Sequence, residues 1–155
     1  MIFEFGKIQV QVDYAHGIRE REASTVGYTL FRVTLKVPDR KPLIRTTWKG
    51  ESAWESEEKR MRRVALEFMY SLVQAWARPQ EYLRSEVSWA ERYAKDPEDQ
   101  EEVEEKKNLA KELIRYAAEI DPFMDAAVEG LWKHTRRDDE RRTRGPREWF
   151  PPKVE

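Results

Sequence analysis

The fold is decided by residues 28–49, which read YTLFRVTLKVPDRKPLIRTTWK. In the first half of this stretch, apolar and polar side chains alternate with a period of two, which is typical of a half-buried strand. The predicted inner face of that strand consists of Phe31, Val33, Leu35 and Val37. Pro38 and Pro42 interrupt the hydrogen-bond ladder, so the residues between them predict a turn and residues 43–49 predict a returning antiparallel strand.

One more strand precedes this hairpin. Residues 7–13 also alternate between apolar and polar side chains, and residues 2–5 lead into them through Gly6. We interpret Gly6 as a bulge at which the alternation changes phase. The sequence therefore predicts an N-terminal sheet of three antiparallel strands, with a long polar loop joining the first strand to the second.

From residue 51 onward the apolar period lengthens to three and four residues, which indicates helices. A long amphipathic helix is predicted over about residues 55–77, capped by Ser52 or Ser56, and its apolar face suits the cover of a sheet. About three more helices follow. They either complete a bundle around the first helix or extend away from it as a hairpin.

These elements predict an α+β fold in which the sheet packs on the long helix. Residues 1–135 are expected to form a single domain, with the sheet in residues 1–50 and the helical region in residues 51–135. Residues 136–155 are expected to form a charged, proline-containing, extended tail.

The composition excludes several classes of function. With no cysteine and two histidines among 155 residues, the chain has no disulfides, no thiolate nucleophile and no cysteine-ligated zinc. No phosphate loop or catalytic motif is present, and we interpret His16 as a solvated loop residue. No apolar run suits a membrane span, and the first residues do not form a signal peptide. We expect a non-enzymatic cytoplasmic protein with no cofactor, no metal site and no membrane association.

The net charge of −1 conceals a strong segregation of charge along the chain. Residues 1–50 carry a net charge of +4, residues 51–78 are neutral, residues 79–132 carry −8 and residues 133–155 carry +3. Either a polyanionic partner at the basic ends or packing of these ends against the acidic middle explains the pattern. The high share of charged residues is also typical of thermophile proteins.

A basic surface is predicted on the outer face of the sheet. An exposed antiparallel face normally mixes both charges, so a face with cations and no acids favours a polyanionic partner. Arginine, lysine, glutamine and threonine side chains reach phosphates and base edges, and a β-ribbon fits the major groove of DNA. We therefore expect nucleic-acid binding, of DNA rather than RNA. The candidate residues, with two arginines from the loop, are Gln9, Gln11, Arg19, Arg21, Arg32, Thr34, Lys36, Arg45, Thr47 and Lys49.

The order of three strands and an amphipathic helix over residues 7–77 resembles two kinds of small DNA-binding domain, integrase arm-binding modules and plant ethylene-response factors. The resemblance rests on this architecture and on the basic hairpin, and no specific motif is shared. It implies that the sheet contacts DNA.

A second hypothesis is a small regulatory or phage-type interaction protein that modulates a larger protein or nucleoprotein complex. Its interface would be the acidic helices or the tail, where Trp149 and Phe150 precede two prolines. Aromatic anchors of this kind concentrate binding energy in a partner's groove, although the same pair could fold back onto its own domain. The apolar stripes of the helices also leave a homodimer open.

Overall fold

A computed structural model describes residues 1–15, 28–50 and 55–138 of the chain. These residues form the predicted α+β fold, but the antiparallel sheet has four strands rather than three. The strands are β1 (Ile2–Phe5), β2 (Ile8–Tyr14), β3 (Tyr28–Lys36) and β4 (Leu43–Gly50). They lie side by side in chain order, so β1 and β4 are the two edges of the sheet.

The additional strand results from a tight turn at Gly6, where we predicted a bulge. Phe5 lies opposite Ile8 in the pairing of β1 with β2, so only Gly6 and Lys7 connect the two strands. Gly6 has a φ of +62°, which the first central residue of a type II′ hairpin turn adopts and which glycine tolerates without strain. The change of phase in the alternation is therefore caused by reversal of the chain, and the bulge prediction was wrong.

The predicted long amphipathic helix and three further helices are confirmed in the described residues. Ser56 caps the first helix, because its Oγ accepts a hydrogen bond from the backbone nitrogen of Lys59 at 3.2 Å. Asp96 and Asp99 form a reciprocal capping box at the start of the third helix. The helices are α1 (Glu57–Ala77), α2 (Pro79–Tyr93), α3 (Pro97–Glu119) and α4 (Asp121–Asp138).

The core lies between the inner face of the sheet and a layer of helices that includes α1, α4 and the second half of α3. All four predicted inner-face residues of β3 and the turn after it are buried, as expected. Trp76 on α1 donates a hydrogen bond from its Nε1 to Asp121 Oδ1 at 2.6 Å, which joins the end of α1 to the start of α4. Large side chains from both layers are fully buried: Phe5, Ile8, Phe31, Leu35, Met69, Leu72, Ile120, Met124 and Leu131.

Helix α2 and the first half of α3 extend from this core as a hairpin. Val87 on α2 and Val103 on α3 are buried, yet neither belongs to the main core cluster. The Nζ of Lys107 lies 3.7 Å from Oε1 of Glu91 and links the two helices. The sequence left open whether the later helices form a bundle around the first helix or extend away from it as a hairpin. The outer parts of α2 and α3 form the hairpin.

Helix α4 continues to Asp138 and so passes the predicted start of the tail at residue 136. Residues 139–155 lie outside the described residues, and the prediction of a single domain over residues 1–135 stays a prediction. In the described part of the chain, no helix is long and apolar enough to cross a membrane.

Helix α4 approaches the turn between β1 and β2 so closely that only glycine fits at position 130. A Cβ atom at Gly130 would lie 2.9 Å from the Cα of Phe5 and 3.1 Å from the backbone nitrogen of Gly6. Backbone atoms cannot move aside as the end of a flexible side chain would. The contact therefore ties the β1 edge of the sheet to α4.

We predict that Gly130→Ala lowers the free energy of unfolding by about 1–3 kcal/mol, the usual cost of overpacking, although alanine is the better helix former. Urea denaturation measures the change. Asn108→Ala, at an exposed position in α3, is the control and should be neutral or slightly stabilising. Unchanged or higher stability of Gly130→Ala would contradict the close packing.

The phenol of Tyr82 on α2 makes the stability of the fold depend on pH. Burial of the phenol, followed by the nearby carboxylate of Glu86, raises the pKa of Tyr82 from 10.0 to about 12, and Arg45 opposes this with a smaller effect. The unfolded chain therefore loses this proton first as the pH rises. The stabilisation is fully present below pH 10 and is lost between pH 10 and about 12.

We predict that the free energy of unfolding falls over this alkaline range and that Tyr82→Phe makes the fall smaller. Urea denaturation at a series of pH values measures it, with Tyr93→Phe at an exposed position of the same helix as the control. If Tyr82→Phe and the parent lose stability equally, the phenol is not the group responsible.

Candidate interaction surface

The pairing of β3 with β4 decides which side chains of β4 lie on which face of the sheet. Val33 lies opposite Arg45, and Phe31 lies opposite Thr47. Residues directly opposite each other in an antiparallel pair project to the same face. Arg45, Thr47 and Lys49 therefore lie on the inner face, toward the helices, and our prediction that they belong to the outer face was wrong.

Two features explain the error. We placed Arg45, Thr47 and Lys49 on the outer face, which implied that Ile44 and Trp48 face inward. Leu43, however, lies opposite Leu35, and the odd number of residues between them, from 36 to 42, places odd-numbered residues of both strands on the same face. In addition, β4 contacts β3 extensively but reaches only slightly under the helices. Its inner side is thus at the border of the core, where charged side chains are tolerated.

The inner-face cations of β4 hold the strand to the helices. The guanidinium of Arg45 donates to Glu112 Oε1 at 3.1 Å and to the backbone oxygen of Leu109 at 2.9 Å, and its side chain is only 16% exposed. Lys49 forms an ion pair with Glu67 on α1. Because both charges already have acidic partners, they add little to the attraction of a polyanion.

The remaining predicted strand residues do lie on the outer face, as the pairing of β2 with β3 confirms for Gln9, Gln11, Arg32, Thr34 and Lys36. The same pairings place two acids there, Glu4 on β1 and Asp13 on β2. These two acids balance the charges of Arg32 and Lys36. The outer face, which we predicted to lack acids, therefore carries no net charge at the strand positions of the described residues.

Polar contacts connect four of these side chains into one network across β2 and β3. The Nζ of Lys36 donates to Gln11 Oε1 at 2.8 Å, and Nε2 of Gln11 donates to Asp13 Oδ2 at 2.9 Å. Arg32 lies 3.8 Å from the same carboxylate oxygen of Asp13. The polar side chains of the outer face thus satisfy one another to a large extent.

The outer face of β4 is apolar and exposed. Ile44 is 54% and Trp48 is 45% exposed, and Thr46 lies between them on the same face. Sequence reasoning missed these residues, and the signal that could have found them is the odd number of residues, from 38 to 42, in the turn predicted between the two strands. An edge strand with exposed apolar side chains is a candidate for pairing with another chain.

The two edges of the sheet differ. The β1 edge faces α4, where Nε2 of His134 lies 3.1 Å from the backbone oxygen of Glu4 and the imidazole packs on Phe5 at 4.7 Å between ring centroids. The free edge of β4 extends over eight residues, and no backbone of the described residues pairs with it. Within the described structure, the β4 edge is therefore the more open of the two, although the backbone oxygen of its last residue, Gly50, accepts a hydrogen bond from Nη2 of Arg63 at 3.3 Å.

Helix α3 runs past the inner side of β4 in the opposite direction. The hydroxyl of Tyr116 donates to the backbone oxygen of Lys41 at 3.0 Å, whereas Leu109 and Glu112, nearer the start of α3, contact Arg45. One side of α3 carries a shallow concavity of about 480 Å³ lined by acids and by the partly exposed Leu109. We call its four acids the acidic stripe: Glu101, Glu104, Glu105 and Glu112.

Several predicted residues cannot be placed. Arg19, Arg21 and His16 in the loop, and Trp149 and Phe150 in the tail, lie outside the described residues. Over residues 1–15, 28–50 and 55–138 there is no group of three or more histidine, cysteine, aspartate or glutamate side chains suited to hold a metal ion.

Comparison with known proteins does not assign the chain to a family. No protein-family model, no curated protein and no solved structure matches it. The function must therefore be argued from the surface itself.

The different roles of two arginines test the register of β4. We predict that Arg45→Met lowers the free energy of unfolding by about 1–2 kcal/mol, because Glu112 and a backbone oxygen lose a charged donor. Arg32→Met, the control on the outer face, should change it by less than about 0.5 kcal/mol. Thermal or urea denaturation measures both. Equal effects of the two changes would argue against the inward position of Arg45.

Proposed function

We propose that this protein is a non-enzymatic interaction module that binds an extended polypeptide segment as an additional strand on β4. The observation that carries the proposal is the open eight-residue edge of β4 with Ile44 and Trp48 exposed on one face, while α4 occupies the edge of β1. In strand addition, main-chain hydrogen bonds supply affinity and alternate side chains supply specificity.

The two sides of β4 favour different side chains in such a segment. On the outer side, apolar residues would pack against Ile44 and Trp48. On the inner side, the segment would lie beside α3, whose acidic stripe favours lysine and arginine. The preferred segment therefore alternates between apolar and basic residues, and it would belong to a larger protein or nucleoprotein complex in the cytoplasm.

Nucleic-acid binding is the second candidate, and one observation favours it. Arg32 and Lys36 are exposed on the same face as Trp48, and an aromatic side chain beside cations can stack the bases of a single strand. The two acids on this face oppose such a role, since affinity for nucleic acids depends on unbalanced positive charge. Strand addition is accordingly the better supported of the two.

The test uses two capped peptides of about eight residues, which is slightly longer than a typical strand. One alternates valine with lysine and the other alternates valine with glutamate. We expect the lysine peptide to shift the amide resonances of residues 43–50 in an NMR titration and to bind about tenfold more tightly than the glutamate peptide, which corresponds to about 1.4 kcal/mol. The difference should shrink at high salt.

Variants of the two edge strands distinguish binding at β4 from non-specific binding of the peptide to exposed apolar side chains. The double change Ile44→Lys and Trp48→Lys should abolish binding of the lysine peptide, whereas Ile2→Lys, at a 56% exposed position of the same face on β1, should not. Shifts outside β4, or none at millimolar peptide, would refute strand addition. A short single-stranded DNA that instead shifts the resonances of Arg32, Lys36 and Trp48 at low salt would support the second candidate.

A further inference from the structure

The strand β4 itself has the alternation that its edge favours. Ile44, Thr46 and Trp48 lie on the outer face, while Arg45 and Lys49 lie on the inner face. This extended segment thus carries apolar residues on one side and, on the other, basic residues that are already paired with acids of their own helices. The exposed apolar side of β4 can therefore pack against the same side of β4 in a second copy.

We infer that two copies pair through antiparallel β4 strands related by a twofold axis, so that two four-stranded sheets join into one continuous sheet. The inference rests on the proposed function, because it names the segment that β4 binds. The pairing of β1 with a second β1 is not available in the same way, since α4 lies against that edge.

Charge and side-chain size select one register for this pairing. A twofold axis at Arg45 would place the two copies of Arg45 directly opposite each other. An axis at Thr47 would place Arg45 opposite Lys49 of the second copy. Both registers are unfavourable because like charges lie opposite each other. An axis at Thr46 avoids both conflicts and pairs Arg45 with Thr47 of the second copy. The register centred on Thr46 is therefore the favoured one.

The same register joins the exposed apolar residues of the two copies. Ile44 of each copy lies opposite Trp48 of the other, and pairs of an aromatic with a β-branched residue stabilise antiparallel strands. Two such pairs flank the axis symmetrically, so all four exposed side chains gain an apolar neighbour. The outer face of β4 alone supplies this self-complementary arrangement.

The inner side of the pairing is electrostatically favourable. Arg45 and Lys49 of each copy are already paired with Glu112 and Glu67 of their own helices, so the two strands approach without unbalanced positive charge. The interface consists of a single strand from each copy, so we expect it to be smaller than the interfaces of permanent dimers and to form reversibly.

The absence of cysteine allows a direct test by cross-linking. Directly opposite residues of an antiparallel pair have Cα atoms about 4.5–5.5 Å apart, which a disulfide can bridge. We expect Thr46→Cys to form a disulfide-linked dimer under mild oxidation at high micromolar protein. Thr34→Cys, on the same face but in the central strand β3, is the matched control and should remain monomeric.

Two further measurements complete the design. The parent protein should sediment as a mixture of monomer and dimer whose proportions change with concentration, and Trp48→Lys should shift it to monomer. The same change in the Thr46→Cys background should reduce cross-linking severalfold. Equal cross-linking of Thr34→Cys and Thr46→Cys would indicate a face-to-face contact and would overturn the inferred register.

The outcomes also separate this inference from the proposed function. If Thr46→Cys does not cross-link and the parent stays monomeric at high concentration while the lysine peptide still binds β4, the second copy is refuted and strand addition stands. If the peptide also fails to bind, both are refuted. Dimerisation that Trp48→Lys leaves unchanged would overturn the inference as well, because the dimer would then form elsewhere.

Discussion

The pairing of Leu35 with Leu43 determines the surface properties of the whole sheet. Because seven residues, an odd number, lie between this pair, odd-numbered residues of β4 share a face with odd-numbered residues of β3. The arginine and lysine of β4 then turn toward the helices, and its isoleucine and tryptophan turn away from them. A connection one residue shorter or longer would exchange the two sets and would create the basic face that the sequence suggested.

This constraint also explains why β4 is polar on the inner face of the sheet and apolar on the outer face. The helices cover β2 and β3, so only the border of β4 meets them, and Arg45 and Lys49 bridge this border to acids on α3 and α1. Single exposed apolar residues are common on proteins. Two of them on an edge strand favour association with another chain, because one edge of that strand has no neighbouring strand. At the other edge of the sheet, α4 lies against β1 and limits such association.

The sequence predicted the helices and the inner faces of β2 and β3 correctly because burial imposes a strict period on them. Met69 and Leu72 recur at the helical spacing, and Val33 and Leu35 recur at the spacing of a strand. The predictions failed where the local signal was ambiguous. Gly6 suits a bulge as well as a turn, and only the pairing of Phe5 with Ile8 distinguishes them.

The candidate site was harder to predict for a physical reason. At an edge strand neither face is fully buried, so hydropathy does not determine the orientation of Arg45 or Trp48, whereas the length of the connection does. The balance of charge on the outer face depends on Glu4 and Asp13, whose positions became apparent only from the pairing of the first two strands. Residues of the loop and tail, such as Arg19 and Trp149, lie outside the described residues, and their proposed roles stay predictions.

The most direct test of the central claim is a comparison of two engineered cysteine pairs in this cysteine-free chain. Thr34 lies directly opposite Ile44, whereas Arg45 projects to the other face. The account predicts that Thr34→Cys with Ile44→Cys forms an intramolecular disulfide readily, and that Thr34→Cys with Arg45→Cys does not, because side chains that point apart cannot be bridged. Formation of the second disulfide in place of the first would contradict the register on which the open edge, its apolar face and the proposed function all depend.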